Sequence, residues 1–216
     1  PSNPQPPQNF ADAVVRPFAD FLIRNRWRSL IVLLFIVLFK LPDYMASRMI
    51  DPLLLDIGFT KQQIAFWALG VGIAVTIPGV LFGGVLVARL GLMKSLVVLG
   101  IAQALSNAGY MILAKAGAVH WLMVGVVGVE YFCTGLVVAG FVAFLMSQCN
   151  RRFSATQFAL LSSVMGLSNA LAGVPTGWLV ERVGYERFFL ITILAGLPGI
   201  LLIPLLRVPK APTTNS

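Results

Sequence analysis

Apolar and polar residues alternate along this 216-residue chain in long blocks rather than residue by residue. Six blocks are almost wholly apolar and about 20 residues or longer, which is the length an α-helix needs to cross a bilayer. Most charged residues lie in the short segments between the blocks. The pattern predicts six transmembrane helices, at about residues 28–55, 62–88, 93–114, 121–148, 155–180 and 187–206. Thr60 and Gln63 form a capping-box pattern at the start of the second helix.

The composition supports lipid as the solvent of this chain. Hydrophobic residues make up 58% of it and charged residues 11%, whereas soluble domains carry about 25% charged residues. The mean hydropathy is +0.87. We therefore predict an all-α, polytopic membrane protein built as a six-helix bundle in the lipid bilayer.

The basic residues indicate how the chain is oriented. The net charge is +8, but the basic residues form no stripe or block, so we predict no nucleic-acid partner. Cytoplasmic loops of membrane proteins collect Lys and Arg. With a cytoplasmic N-terminus, that side holds Arg16, Arg24, Arg26, Arg28, Arg89, Lys94, Arg151, Arg152, Arg207 and Lys210, and the other side holds Arg48, Lys61, Lys115, Arg182 and Arg187. We therefore expect both termini to be cytoplasmic.

The ends of the chain differ in composition from the apolar blocks. Residues 1–17 begin with a Pro-, Gln- and Asn-rich stretch typical of a flexible linker. We predict a cytoplasmic linker over 1–17, a transmembrane domain over 18–206 and a cytoplasmic tail over 207–216. The linker-like start leads us to expect a longer native protein.

An internal repeat divides the transmembrane domain. The sequence GVLVARLGLMK at 84–94 recurs, 93 residues later, as GWLVERVGYER at 177–187. One copy closes the second helix and the other closes the fifth. The chain is therefore predicted to contain two three-helix repeats, at about 28–114 and 121–206. An odd number of crossings inverts the second repeat relative to the first, as in many transporters.

The first copy resembles the loop signature G-x-L-x-D-R-x-G-R/K of the major facilitator superfamily. Gly84, Arg89, Gly91 and Lys94 match it, with Ala88 in place of the acid. The resemblance implies a six-helix bundle that is one half of a transporter, with these four residues in a gating loop. The salt bridge that the acid usually makes is not implied here.

Four further stretches resemble the AmpG muropeptide permeases: LFKLPD at 38–43, DIGFTK at 56–61, QALSN at 103–107 and the long run FVAFLMSQCNRRFSATQFALLSS at 141–163. The resemblance extends over about 18–206 and corresponds to the C-terminal half of such a permease. It implies an N-terminal six-helix half as partner, in the bacterial inner membrane. It also implies proton-coupled import of GlcNAc-1,6-anhydroMurNAc and its peptides from periplasm to cytoplasm, which serves cell-wall recycling and, indirectly, β-lactamase induction.

Two other functions stay open at this point. The same wider family includes siderophore and other small-metabolite permeases. A membrane-embedded enzyme or assembly factor would need a reactive nucleophile or paired acids at one interface, and the sequence offers neither. We find no metal-ligand spacing, phosphate loop or nucleophile elbow, so we predict no enzyme activity, no metal and no cofactor.

Three ionisable residues fall deep inside predicted helices: Lys40, Asp43 and Glu130. A charge near the bilayer centre costs about 2.5–3.5 kcal/mol on insertion scales. Lys40 and Asp43 lie on one helix face, either as a structural ion pair or as a site where Asp43 exchanges protons and Lys40 holds an anionic substrate group. Glu130 has no basic neighbour on its own helix and is the better candidate for a proton carrier. A neutral hydrogen-bonded acid, or a partner of Lys40, is the alternative.

Other polar residues of the helices are weaker candidates. Gln103, Ser106 and Asn107 are expected to make interhelical hydrogen bonds. Gly79 with Gly83, and Gly173 with Gly177, are expected to let helices approach closely. The remaining residues could bind substrate or serve ordinary helix packing: Tyr44, Tyr131, Thr134, Ser168 and Asn169.

Overall fold

A computed structural model of the chain describes residues 26–150 and 154–206. These residues form α1 (Arg26–Asp56), α2 (Lys61–Leu90), α3 (Leu92–Ala116), α4 (His120–Gln148) and a fifth helical segment, Ser154–Leu202, which ends in a 3-10 turn at Ile203–Leu205. No strand occurs within these two ranges. Five segments are long and apolar enough to cross a membrane. The prediction of an all-α, multi-pass membrane protein is confirmed. The predicted linker at 1–17, the tail at 207–216 and the basic residues Arg151 and Arg152 lie outside the described residues.

The fifth segment folds back on itself at Gly184, whose φ of 76° and ψ of 165° are not helical. The hydroxyl of Ser168 donates a hydrogen bond to the carbonyl of Val37 at 3.1 Å, and Gly199 packs against the backbone of Phe39. A straight helix would hold residues 168 and 199 about 46 Å apart, yet both contact the same turn of α1. The segment therefore forms two antiparallel helices, α5 (154–183) and α6 (185–202). The bundle has six helices in the predicted order.

Both copies of the repeated sequence turn the chain in the same way. Gly91, between α2 and α3, has φ 78° and ψ 157°, and Gly184, between α5 and α6, has φ 76° and ψ 165°. Only glycine adopts such a positive φ without strain. Ser95 stabilises the turn at Gly91, since its hydroxyl donates hydrogen bonds to the carbonyls of Leu86 and Gly91, both at 2.9 Å. The matching conformations favour the predicted repeat, whose inverted relation stays a prediction.

Contacts between helix termini identify the two ends of the bundle. At one end Lys115 pairs with Glu186 at 2.7 Å, and the hydroxyl of Tyr185 donates to Asp56 at 2.7 Å. These contacts join the ends of α1 and α3 to the start of α6. We call this end of the bundle the Asp56 end. The opposite end, where the α2–α3 turn lies, is the Gly91 end.

Two apolar clusters fill the bundle. The cluster nearer the Gly91 end is rich in Phe: the rings of Phe39 and Phe141 are stacked with centroids 5.6 Å apart, and Phe35 meets Phe144 edge-on at 4.9 Å. The cluster nearer the Asp56 end is built around the fully buried side chains of Leu53, Tyr110, Met123, Phe188 and Phe189. Residues of the second cluster also line a cavity.

Glycines bring α2 and α4 into backbone contact. A Cβ atom on Gly79 would overlap the carbonyl oxygen of Phe132, and one on Gly83 would lie 2.6 Å from that of Leu136. Gly135 of α4 faces Gly79 directly. The expected close approach of α2 is therefore confirmed. For α5, a Cβ atom on Gly173 would lie 3.1 Å from the Arg48 side chain of α1, whereas among the described residues nothing lies within 4 Å of one on Gly177.

Replacing Gly135 with Ala should destabilise the protein by about 1–3 kcal/mol, the usual cost of overpacking. The new methyl group would overlap the carbonyl oxygen of Thr76 and lie 2.9 Å from the amide nitrogen of Val80, and neither backbone atom can move alone. Gly128→Ala, seven residues earlier on α4, is the matched control, because nothing lies within 4 Å of its new methyl group. The control should leave stability unchanged or raise it by up to about 1 kcal/mol. Thermal unfolding of both variants in detergent measures the difference, and equal midpoints would contradict the prediction.

Two parts of the bundle remain poorly covered by the rest. In the most apolar 18-residue window of each span, 17% of residues are buried for α2 and 28% for α5–α6, against 50% for α1. Large apolar side chains such as Ile77 and Leu81 of α2, and Val174 of α5, point outward. These faces are suited to lipid or to another membrane-embedded protein.

Candidate functional site

A cavity of about 650 Å³ lies between α1, α2, α3 and α4, in the half of the bundle nearer the Asp56 end. Its wall includes charged residues from α1 and α4. Aromatic rings and apolar side chains complete the wall. The polar and aromatic lining residues are Lys40, Asp43, Tyr44, Ser47, Asp51, Lys61, Trp67, Gln103, Tyr110, Glu130, Tyr131 and Thr134. The volume is typical of sites for small molecules.

Lys40 and Asp43 form an ion pair on the cavity wall. The Lys40 Nζ atom lies 2.8 Å from Asp43 Oδ2, and the two side chains are 12% and 19% exposed. The pairing follows from the helix itself, since residues three apart lie on one face, and α1 stays helical across Pro42. Lys40 Nζ also lies 5.6 Å from the ring centroid of Tyr44 and 5.7 Å from that of Phe141. Both distances suit cation–π contacts.

Glu130 lies on the same wall but has a different environment. The Thr134 hydroxyl donates a hydrogen bond to Glu130 Oε1 at 3.2 Å. Among residues 26–150 and 154–206, no basic side chain lies within 4.0 Å of the Glu130 carboxylate. A carboxylate at membrane depth needs a cation, water or a proton. Since Asp43 has a cation and Glu130 has none, the two acids are not equivalent.

Tyr131 and residues of α2 form part of the cavity wall. Residues Phe66–Gly72 of α2 form a π-helical stretch, and such stretches are frequent at functional sites. The ring of Tyr131 packs on Gly72, where a Cβ atom would lie 2.8 Å from the ring. The hydroxyl of Thr76 donates to the carbonyls of Gly72 at 2.9 Å and Tyr131 at 3.3 Å. Tyr131 is therefore held against α2 with its ring on the cavity.

The candidate substrate residues fall into two groups. Tyr44, Tyr131 and Thr134 line the cavity together with the three ionisable residues. Ser168 and Asn169 are not among its lining residues. Ser168 is fully buried and bonded to Val37, and Asn169 accepts hydrogen bonds from Arg48, at 2.9 Å on its side chain and 3.0 Å on its carbonyl. Both residues tie α5 to α1, and a contact of either with substrate stays a prediction.

The residues of the loop signature lie at the Gly91 end, away from the cavity. Gly91 supplies the positive φ of the turn. Arg89 and Lys94 flank it with exposed side chains, and Gly84 has open space on α2. The four residues are thus placed at a helix turn on the surface, and their role in gating stays a prediction.

The structure adds two residues of α3 to the cavity wall, Gln103 and Tyr110. The expectation of interhelical hydrogen bonds is wrong for Gln103 and Ser106. The Ser106 hydroxyl donates to the carbonyl of Gln103 within α3 at 2.8 Å, and Gln103 Oε1 has no hydrogen-bond partner in the described part of the chain. Gln103 and Tyr110 are seven residues apart and so lie on one helix face. This spacing was the signal in the sequence that could have placed both on the cavity wall.

Comparison with known proteins finds clear relatives. The chain is 38% identical to the anhydromuropeptide permease of Escherichia coli (strain K12) over 202 residues, which are 93% of this chain and 41% of that protein. It is 32% identical to the putative transporter AmpG 4 of Rickettsia conorii, over 90% of this chain and 47% of the relative. It is 33% identical to the putative transporter AmpG 1 of Rickettsia prowazekii, over 91% and 46%. The chain thus spans less than half the length of these relatives. No protein-family model matches it.

Proposed function

Since this chain belongs to the AmpG permease family over about nine-tenths of its length, we propose that it forms one half of a secondary active transporter. The transporter imports anhydromuropeptides, GlcNAc-1,6-anhydroMurNAc and its peptides, from periplasm to cytoplasm for cell-wall recycling. The name of the relative from Escherichia coli supports this substrate class. The observation that carries the proposal is the cavity of about 650 Å³ at membrane depth, with an ion pair and a separate acid on its wall.

The two acids suggest a division of roles in proton-coupled transport. Glu130 binds and releases the coupling proton, because it has a hydroxyl neighbour but no cation within ion-pair distance among the described residues. Lys40 holds an anionic group of the substrate, such as a carboxylate, which competes with Asp43 for the ammonium group. Tyr44, Tyr131 and Thr134 contact the sugar rings from the same wall.

A partner half completes the transporter in this proposal. The relatives are more than twice as long as the part that this chain matches, and α2 and α5–α6 are poorly covered. An N-terminal six-helix bundle packed on these faces would enclose the substrate between the halves, with the remaining surface in the lipid bilayer. The transporter lies in the bacterial inner membrane with both termini of this domain cytoplasmic, so that the cavity is on the periplasmic side.

Transport by the native protein in proteoliposomes tests the proposal directly. We expect labelled anhydromuropeptide to accumulate when the outside is more acidic than the inside, and to stop accumulating when a proton ionophore removes the gradient. Empty liposomes are the control. Uptake that ignores the gradient would contradict proton coupling, and failure of competent protein to take up any anhydromuropeptide would favour a siderophore or other metabolite permease.

A further inference from the structure

Two buried polar atoms of α3 belong to residues that line the cavity and have no hydrogen-bond partner in the described part of the chain. Gln103 is 5% exposed and Tyr110 is fully buried. Neither Gln103 Oε1 nor the Tyr110 hydroxyl has a hydrogen-bond partner within residues 26–150 and 154–206. Both residues line the cavity of about 650 Å³, as Glu130 and Asp43 do.

Unpaired polar atoms of this kind are rare and costly. Burying a polar group without a partner costs about 1–3 kcal/mol, and nearly all buried polar side-chain atoms in proteins find one. Here two of them lie seven residues apart on one face of one helix, about 10.5 Å along its axis. The Tyr110 ring is held in place by stacking on Phe189, with centroids 5.3 Å apart. Packing fixes the Tyr110 hydroxyl without offering it a protein partner.

The chemistry of the two groups indicates what would satisfy them. Neither carries a charge, so neither is suited to select an ion. The carboxamide oxygen of Gln103 accepts a hydrogen bond from a hydroxyl or an amide N–H, and the Tyr110 hydroxyl can donate or accept one. The two residues are about 10.5 Å apart along the helix axis, which suits an extended molecule with hydrogen-bonding groups along its length. A saccharide has this character, with neutral hydroxyl and N-acetyl groups at regular spacing.

We propose that Gln103 and Tyr110 bind the uncharged saccharide core of the substrate and determine the selectivity of the cavity for it. The proposal rests on the transport function proposed above and assigns a part of the binding site to α3, where Gln103 was expected to make an interhelical hydrogen bond. Lys40 then binds the anionic group of the substrate and Glu130 binds the proton, whereas Gln103 and Tyr110 recognise neutral polar groups. A site that hydrogen-bonds a substrate group discriminates strongly against analogues that lack it.

Gln103→Met and Tyr110→Phe test the proposal, because each removes the polar atoms and keeps most of the volume. The native protein is purified in detergent, and its affinity for peptide-free GlcNAc-1,6-anhydroMurNAc is measured by calorimetry alongside thermal unfolding without ligand. We expect each variant to bind about tenfold more weakly, the effect of one lost hydrogen bond. Unfolding without ligand should occur at the same or a higher temperature, since no protein hydrogen bond is lost.

Tyr185→Phe is the matched control for the tyrosine. Its hydroxyl bonds to Asp56 at the Asp56 end, outside the set of residues that line the cavity. The control should unfold at a slightly lower temperature and bind the disaccharide with unchanged affinity. The control should therefore lose stability and keep its affinity, whereas the α3 variants should lose affinity and keep their stability.

Several outcomes would overturn the inference. Unchanged affinity in both variants, with binding by the wild type, removes Gln103 and Tyr110 from the site and leaves the transport function standing. A lower unfolding temperature without ligand indicates a structural role, for example through a bound water. Weaker binding of the peptide-bearing substrate alone assigns the two residues to the peptide and overturns the saccharide assignment. Failure of the wild type to bind both the disaccharide and the peptide-bearing substrate overturns the transport proposal together with this inference.

Discussion

Glu130→Gln is expected to abolish accumulation of substrate against its gradient, while exchange of substrate across the membrane continues. Gln has the size of Glu and keeps an acceptor for the Thr134 hydroxyl, which lies 3.2 Å from Glu130 Oε1, but it cannot bind and release a proton. Net transport coupled to protons then stops, whereas one-for-one exchange needs no proton movement. In proteoliposomes preloaded with unlabelled substrate at the external concentration, labelled substrate should exchange until its internal and external concentrations are equal, and a pH gradient should not raise the internal concentration further.

Glu186→Gln is the matched control for this experiment. Glu186 is 47% exposed and pairs with Lys115 at the Asp56 end, and exposed ion pairs contribute only about 0–1 kcal/mol. The control should accumulate substrate as the wild type does. Accumulation at the wild-type level by Glu130→Gln would remove Glu130 from proton coupling. Loss of exchange as well as accumulation would assign Glu130 to substrate binding instead.

Asp43→Asn should have the second large effect, on both stability and transport. The Lys40 and Asp43 side chains are 12% and 19% exposed and 2.8 Å apart, so the variant leaves the Lys40 ammonium largely buried without its anion. Breaking a buried pair in this way costs about 3–5 kcal/mol. We expect a lower unfolding temperature in detergent and, because the destabilised bundle no longer holds the Lys40 ammonium in place, a loss of uptake.

The double variant Lys40→Met with Asp43→Asn separates the two interpretations of the pair. Removing both charges removes the unpaired ammonium, so stability should return close to the wild-type value. Uptake should stay absent, because no cation remains to hold the anionic group of the substrate. Recovery of uptake together with stability would identify the pair as purely structural. Lys115→Met, which breaks the exposed pair with Glu186, is the control. It should change the free energy of unfolding by no more than about 1 kcal/mol and leave uptake at the wild-type level.

Local features of the site could be predicted from the sequence because they depend on short stretches of chain. Lys40 and Asp43 pair as helical spacing requires. The capping box of Thr60 and Gln63 forms as its pattern indicates, with the Thr60 amide donating to Gln63 Oε1 at 2.9 Å. The glycine turns at Gly91 and Gly184 follow from the repeated sequence. In each case the residues involved are neighbours on one helix or one turn.

Contacts between helices were predicted less well. Gly173 and Gly177 have the same spacing as Gly79 and Gly83, yet only Gly79 and Gly83 pack against the backbone of another helix. Gln103 and Ser106 were expected to bond to other helices, and neither forms such a bond within the described ranges. The sequence could not distinguish these cases, because spacing along one helix does not identify the helix that faces it.

The sequence by itself determined that the chain is a bundle of membrane-crossing helices, where those helices begin and end, and which ionisable residues lie at membrane depth. These properties depend on the free energy of transfer from water to lipid, which each segment carries alone. Only the tertiary structure decided that Gln103 and Tyr110 of α3 line the same cavity as Lys40, Asp43 and Glu130. In a membrane, lipid tails are as apolar as the protein interior, so hydrophobicity does not separate the inward face of a helix from its outward face. Side-chain fit between helices makes that choice, and it emerges only when all six are packed.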